Sequence, residues 1–131
     1  MKKLYHISYK DLGKRVLFKP KIPDNRYEGY DIYHPYLGEK YPENDTVKRI
    51  CVSHSVMGCL RALPIEFDYY FVYEAIRPIA VTRDMPLYMV PDAKTTGEHW
   101  ILSNTYMERR GKIKVYYNEG EVKSYRLIEK I

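Results

Sequence analysis

The chain has no long apolar run: nothing in its 131 residues approaches the roughly 18–20 consecutive apolar positions of a membrane-spanning helix. No apolar stretch follows Met1-Lys2-Lys3 to form a secretory signal. The expectation is a cytoplasmic chain with no membrane partner. Cysteine is scarce. Cys51 and Cys59 are the only two, and in a reducing compartment they read as core thiols rather than a bridge. Neither a Cys-x-x-Cys nor a His-x-x-x-His pair occurs, so no metal site is expected. The glycine-rich phosphate loops of P-loop and dinucleotide-binding folds are missing too. There is no internal repeat and no low-complexity tract.

What is present is the balance of one soluble domain, residues 1–131, with 45% apolar and 30% charged residues. A chain of this size builds a core without metal or disulfide staples. The formal charge is +5 and unevenly spread. Residues 1–26 hold eight basic side chains against Asp11 and Asp24, while the rest of the chain is close to neutral. Such a field favours an anionic partner, either nucleotide or nucleic acid, unless it is only a solvated basic edge. Aromatic surface is dominated by tyrosine, with 15 Tyr beside three Phe and one Trp. Tyrosine suits half-buried strand positions and also stacks on bases.

Strands are expected at 4–8 and 15–18, with Asp11-Leu12-Gly13 turning between them. From Lys19 to Asp45, Pro20, Pro23, Pro35 and Pro42 dissolve the pattern into a long Pro- and Tyr-rich loop. Tyr27, Tyr30, Tyr33 and Tyr36 recur there at every third position, and some of these rings are candidates to meet a ligand. A strand over 48–53 leads into the one expected helix, where Val56, Cys59, Leu60 and Leu63 share a face. Ser53 or Ser55 caps it and Pro64 stops it. Strands follow at 69–75, 79–82, 87–90, 98–103, 106–108, 112–117 and 122–128. Arg110-Gly111 and Asn118-Glu119-Gly120-Glu121 read as turns between the last three. The expected class is α+β, mostly antiparallel or mixed sheet with one central helix.

Three segments carry candidate chemistry. They are Leu4-Tyr5-His6-Ile7-Ser8, then Arg49-Ile50-Cys51-Val52-Ser53-His54-Ser55, and Thr95-Thr96-Gly97-Glu98-His99-Trp100. Their order resembles the ADP-ribosyltransferase-like fold, in which an early strand carries a His or Arg, a central strand ends in a Ser/Thr motif, and a late strand begins with a catalytic Glu. The resemblance implies an NAD-binding or related nucleotide-binding domain that cleaves the nicotinamide–ribose bond, as a transferase or a glycohydrolase. It gives Glu98 and His6 catalytic roles. It also puts His6 on the adenosine side and Ser53 or Ser55 at the nicotinamide ribose. Arg15, Lys19 or Arg49 would meet the pyrophosphate, and a tyrosine of the 27–41 loop such as Tyr36 would stack on nicotinamide. A carboxylate in that position stabilises positive charge developing on the ribose.

Each residue also has a plainer reading. His6 suits a half-buried strand, Ser53 and Ser55 suit helix caps, Glu98 suits a turn at a sheet edge, and Trp100 suits the core with His99 on the opposite face. A Cys51–His54 nucleophile is weighed against ordinary buried cysteine. Two other functions stay open. One is a nucleic-acid-binding module using the basic N-terminal residues and exposed tyrosines. The other is a phage-type accessory protein that holds a nucleotide or partner without catalysis.

Overall fold

The computed structural model describes residues 3–22, 31–33, 40–42, 47–62, 67–82 and 97–130; for 31–33 and 40–42 this is the backbone alone. The strands are β1 (Tyr5–Ser8), β2 (Arg15–Phe18), β3 (Asp31–Tyr33), β4 (Lys40–Pro42), β5 (Ile50–Ser53), β6 (Tyr69–Ile76), β7 (Glu98–Ile101), β8 (Thr105–Asn118) and β9 (Glu121–Lys130). One helix, α1 (Val56–Ala62), lies among the described residues. Seven strands form one sheet in the order β2-β8-β6-β1-β5-β7, and β9 adds to β8. Every pairing is antiparallel. The α+β expectation holds in this coarser form.

The two faces of the sheet are covered over different areas. Strand alternation sends Tyr73 and Ala75 of β6 to one cluster with Leu4, Ile50, Val52, Ile101 and Met107. It sends Tyr70 and Val72 to the other, where α1 supplies Cys59 and Leu60 against Ile7, Ile113 and Val115. α1 begins at a built cap: Ser55 Oγ accepts the Gly58 amide at 2.9 Å, satisfying one of the open N–H groups of the first turn.

Three expectations are corrected. Arg110-Gly111 is no turn, because β8 runs unbroken from Thr105 to Asn118. Val72 pairs Gly111 and Tyr73 pairs Arg109, so Arg110 is an extra residue in a β-bulge. The bulge reverses which parity faces the core, so Met107 belongs to one cluster and Ile113 to the other. A break in the period-two pattern is common to a turn and a bulge, so the local pattern does not separate the two. Gly111 has its own reason to lack a side chain, since a Cβ there would sit 2.6 Å from the Glu129 carbonyl oxygen.

The strand expected at 79–82 is reduced to a single bridge, Val81 to Ile101. Ala80 at φ 52° prevents it from running on. The Pro/Tyr-rich segment contains a short antiparallel pair, β3 with β4. Tyr27, Tyr30, Tyr36, Leu63, Pro64 and the expected strand 87–90 lie outside the described residues. The turn at Glu119-Gly120 is as expected, with both residues at positive φ (54° and 82°), the conformation of a tight hairpin turn.

Candidate functional site

β1 is bonded unequally on its two edges. Toward β6 it pairs at four positions, from Tyr5 with Glu74 to Ser8 with Phe71. Toward β5 it pairs only at Tyr5 with Ser53. Past that point the ladder gives way to side chains. His6 Nδ1 lies 3.1 Å from the Cys51 carbonyl oxygen. Cys59 Sγ, reaching up from α1, donates to the Tyr5 carbonyl at 3.2 Å. Carbonyls that a continuous ladder would satisfy are met by a histidine and a thiol, as buried polar groups require.

Where the strands part there is a cavity of about 60 Å³. His6, Ser53 and Glu98 border it, with Ile7, Cys51 and Cys59 among its less polar lining. These three polar residues are among those that the resemblance singles out, and they come from three strands and chain positions 45 or more apart. Ser53 and Glu98 are direct cross-strand partners between β5 and β7, so both project from one face of the sheet. Gly97 makes this approach possible. It stands at φ +66°, and a Cβ there would lie 3.2 Å from Ser53 Oγ.

His6 enters from the other face. Its cross-strand partner is Tyr73, and its ring meets Phe18 edge-on with centroids 4.9 Å apart. Burial lowers its pKa, opposed by the hydrogen bond to Cys51 and assisted by the positive charge of Lys21. The ring is therefore a neutral imidazole at pH 7. With Nδ1–H donated to the carbonyl, Nε2 is left as the acceptor nitrogen.

Glu98 is oriented from behind. Trp100, two residues along β7 on the same face, donates its indole N–H to Glu98 Oε2 at 2.7 Å. The indole is buried, and the guanidinium of Arg49 lies over it at 4.4 Å from the ring centroid. Arg49 is itself buried and donates Nη1 to the Val47 carbonyl at 2.9 Å. It thus supports the Trp100 that holds Glu98 and is not among the residues bordering the cavity. Ser55 is the helix cap and is likewise absent from the border. Tyr36 lies outside the described residues.

The Cys59 thiol is structural, hydrogen-bonded to the Tyr5 carbonyl. Burial pushes the Cys59 pKa up to about 12, which keeps it protonated and a poor nucleophile. His54, the partner considered for Cys51, turns its ring edge-on to His99 at 4.4 Å and its Nδ1 toward the Lys3 carbonyl. Trp100 is core and His99 faces the other way, as the alternation of β7 predicts. The role that the sequence reading missed is that of Trp100 as the holder of Glu98. An aromatic N–H two residues from an acid on one strand was the available signal. Among the described residues no group of three or more His, Cys, Asp or Glu could hold a metal ion. No helix among them is long and apolar enough to cross a membrane. No protein family, curated protein or solved structure matches the chain.

Proposed function

We propose that the cleft between β1, β5 and β7 binds the nicotinamide end of NAD or a related nucleotide, in an ADP-ribosyltransferase-like domain. The observation that carries this reading is the meeting of His6, Ser53 and Glu98 at one cavity. At about 60 Å³ the cavity is smaller than a nicotinamide ring and far smaller than a dinucleotide, so only one end of the ligand enters and the cleft widens to take it. The bound nucleotide supplies a glycosidic bond to a good leaving group.

The chain's own residues do the rest. Glu98 keeps one carboxylate oxygen on the Trp100 indole, which fixes the plane of the group. The carboxylate offers negative charge to a ribose on which positive charge develops. Ser53, opposite Glu98, is a hydroxyl donor and acceptor for a ribose oxygen. His6, neutral and fixed through Nδ1, presents a single acceptor nitrogen and no charge. The ring-stacking role assigned to Tyr36 and the pyrophosphate role assigned to Arg49 are not part of this reading.

The test is NAD added to purified protein, with nicotinamide release and thermal unfolding both followed, for wild type and Glu98→Gln. A saturable rise in Tm with release lost by about 100-fold or more in the variant supports a catalytic site. A rise in Tm without release reduces the reading to a nucleotide holder. No response of either kind removes it.

A further inference from the structure

We propose that the face of β6, β8 and β9 bearing Lys112 and Lys114 binds single-stranded nucleic acid, independently of the cleft. In sequence, Tyr116 follows Lys112 and Lys114 on β8, but Tyr69 and Phe71 belong to a different strand, and the residues form no motif. Antiparallel register interleaves them. Tyr69 lies opposite Lys114, and Phe71 lies opposite Lys112. The Lys112 ammonium sits 5.2 Å from the Tyr69 ring centroid and 5.4 Å from that of Phe71. Lys114 sits 5.8 Å from Tyr69 and 5.5 Å from Tyr116. On the outer side β9 brings Arg126 opposite Lys114 and Ser124 opposite Tyr116. The acids among these paired positions are Glu129, opposite Lys112, and Glu121, opposite Asn118 at the hairpin end, against three cations.

The rings are available as platforms. Tyr69 is 45% exposed and Tyr116 38% exposed, although Ile113 and Val115, their neighbours of opposite parity on β8, are fully buried. A soluble sheet face of this kind ordinarily carries mixed charge around isolated aromatics. Alternating cations and rings on adjacent strands match a polyanion whose bases are free to stack, since phosphate meets ammonium and each base has a π-face for tyrosine. A duplex keeps its bases stacked on one another and offers this surface only phosphate. The N-terminal basic residues are partly committed elsewhere, with Lys3 facing Glu74 at 3.8 Å and Arg15 lying over the Tyr106 ring.

The experiment is fluorescence anisotropy with a labelled oligo-dT and the matching oligo-rU, titrated over a range of salt. Unlabelled duplex and inorganic polyphosphate serve as competitors. Wild type is expected to saturate with single strands and to be displaced poorly by duplex or polyphosphate. Lys112→Gln with Lys114→Gln should weaken binding and reduce the log–log salt slope by about 1.4. Tyr69→Leu with Tyr116→Leu should weaken it by about fivefold or more at every salt, with the slope unchanged. The tyrosines are exposed and the lysines half-buried, and far-UV circular dichroism checks that both variants fold. Absence of saturable binding overturns the proposal. So does equal competition by duplex or polyphosphate, or wild-type affinity in the tyrosine variant. Glu98→Gln should bind the oligonucleotide as wild type does, which separates this surface from the cleft.

Discussion

The two edges of β1 are built from the same four residues yet do different work. On the β6 edge the backbone ladder is complete, and its side chains fill two apolar clusters. On the β5 edge the ladder stops after Tyr5 and Ser53, and His6 and Cys59 take over the carbonyls of Cys51 and Tyr5. One edge is closed by main chain and is regular. The other is closed by side chains, which leaves room between strands for a cavity and for polar groups of choice. A sheet can therefore carry a site in its interior by giving up a few ladder bonds, provided side chains satisfy what is left.

Substitutions on the two sides should separate this closed half from the open one. Gly111→Ala acts on the closed half and should have the largest effect on stability. Its Cβ meets a backbone carbonyl that cannot rotate away, so β8 and β9 must part, at a cost of about 1–3 kcal/mol. Denaturant unfolding measures that loss, while the stabilisation by NAD proposed for the cleft should persist. An unchanged midpoint would mean that β8 and β9 do not approach as described.

Gly97→Ala acts on the open half. It combines a positive φ with a 3.2 Å approach to Ser53 Oγ, and should cost about 1 kcal/mol or somewhat more. It should also weaken whatever occupies the cleft, because Ser53 is displaced. A variant as stable as wild type with undiminished ligand binding would remove Gly97 from the site.

The seam itself titrates. The folded-state pKa of His6 is depressed, so its contribution is present above the unfolded value near 6.5 and is lost as pH falls through the folded one. In that window the unfolded chain binds the extra proton, so stability rises with pH. The slope from one group is at most about 1.4 kcal/mol per pH unit. Unfolding followed from pH 7.5 down to 4.5 should show it, and His6→Gln should flatten it. A slope that survives this substitution would assign the titration to another group.

The smallest effect is that of the cap, where Ser55→Ala should cost about 1 kcal/mol and Ser55→Gly only a few tenths. Since Ser55 does not border the cavity, neither change should alter ligand binding once stability is allowed for. A selective loss of binding would return Ser55 to the site.

Local physical chemistry alone determined much of this molecule. The alternation of β6, the helix face of Val56, Cys59 and Leu60, the cap at Ser55 and the Glu119-Gly120 turn are all set by neighbours in the chain, so the sequence carries them openly. His6, Ser53 and Glu98 are singled out only by the resemblance in the order of three short segments, since a Tyr-His in a first strand or a glycine before Glu98 is common by chance. Their meeting at one cavity was not readable, because it depends on which strand pairs with which, over separations of 45 residues or more. The bulge at Arg110 was hidden for a related reason. A turn and a bulge leave the same gap in a period-two pattern, and only β6 on one side and β9 on the other decide between them. The interleaving of Lys112 and Lys114 with Tyr69 and Phe71 is likewise a product of register. Local sequence fixes which way a side chain points, but only the assembled sheet fixes what it points at.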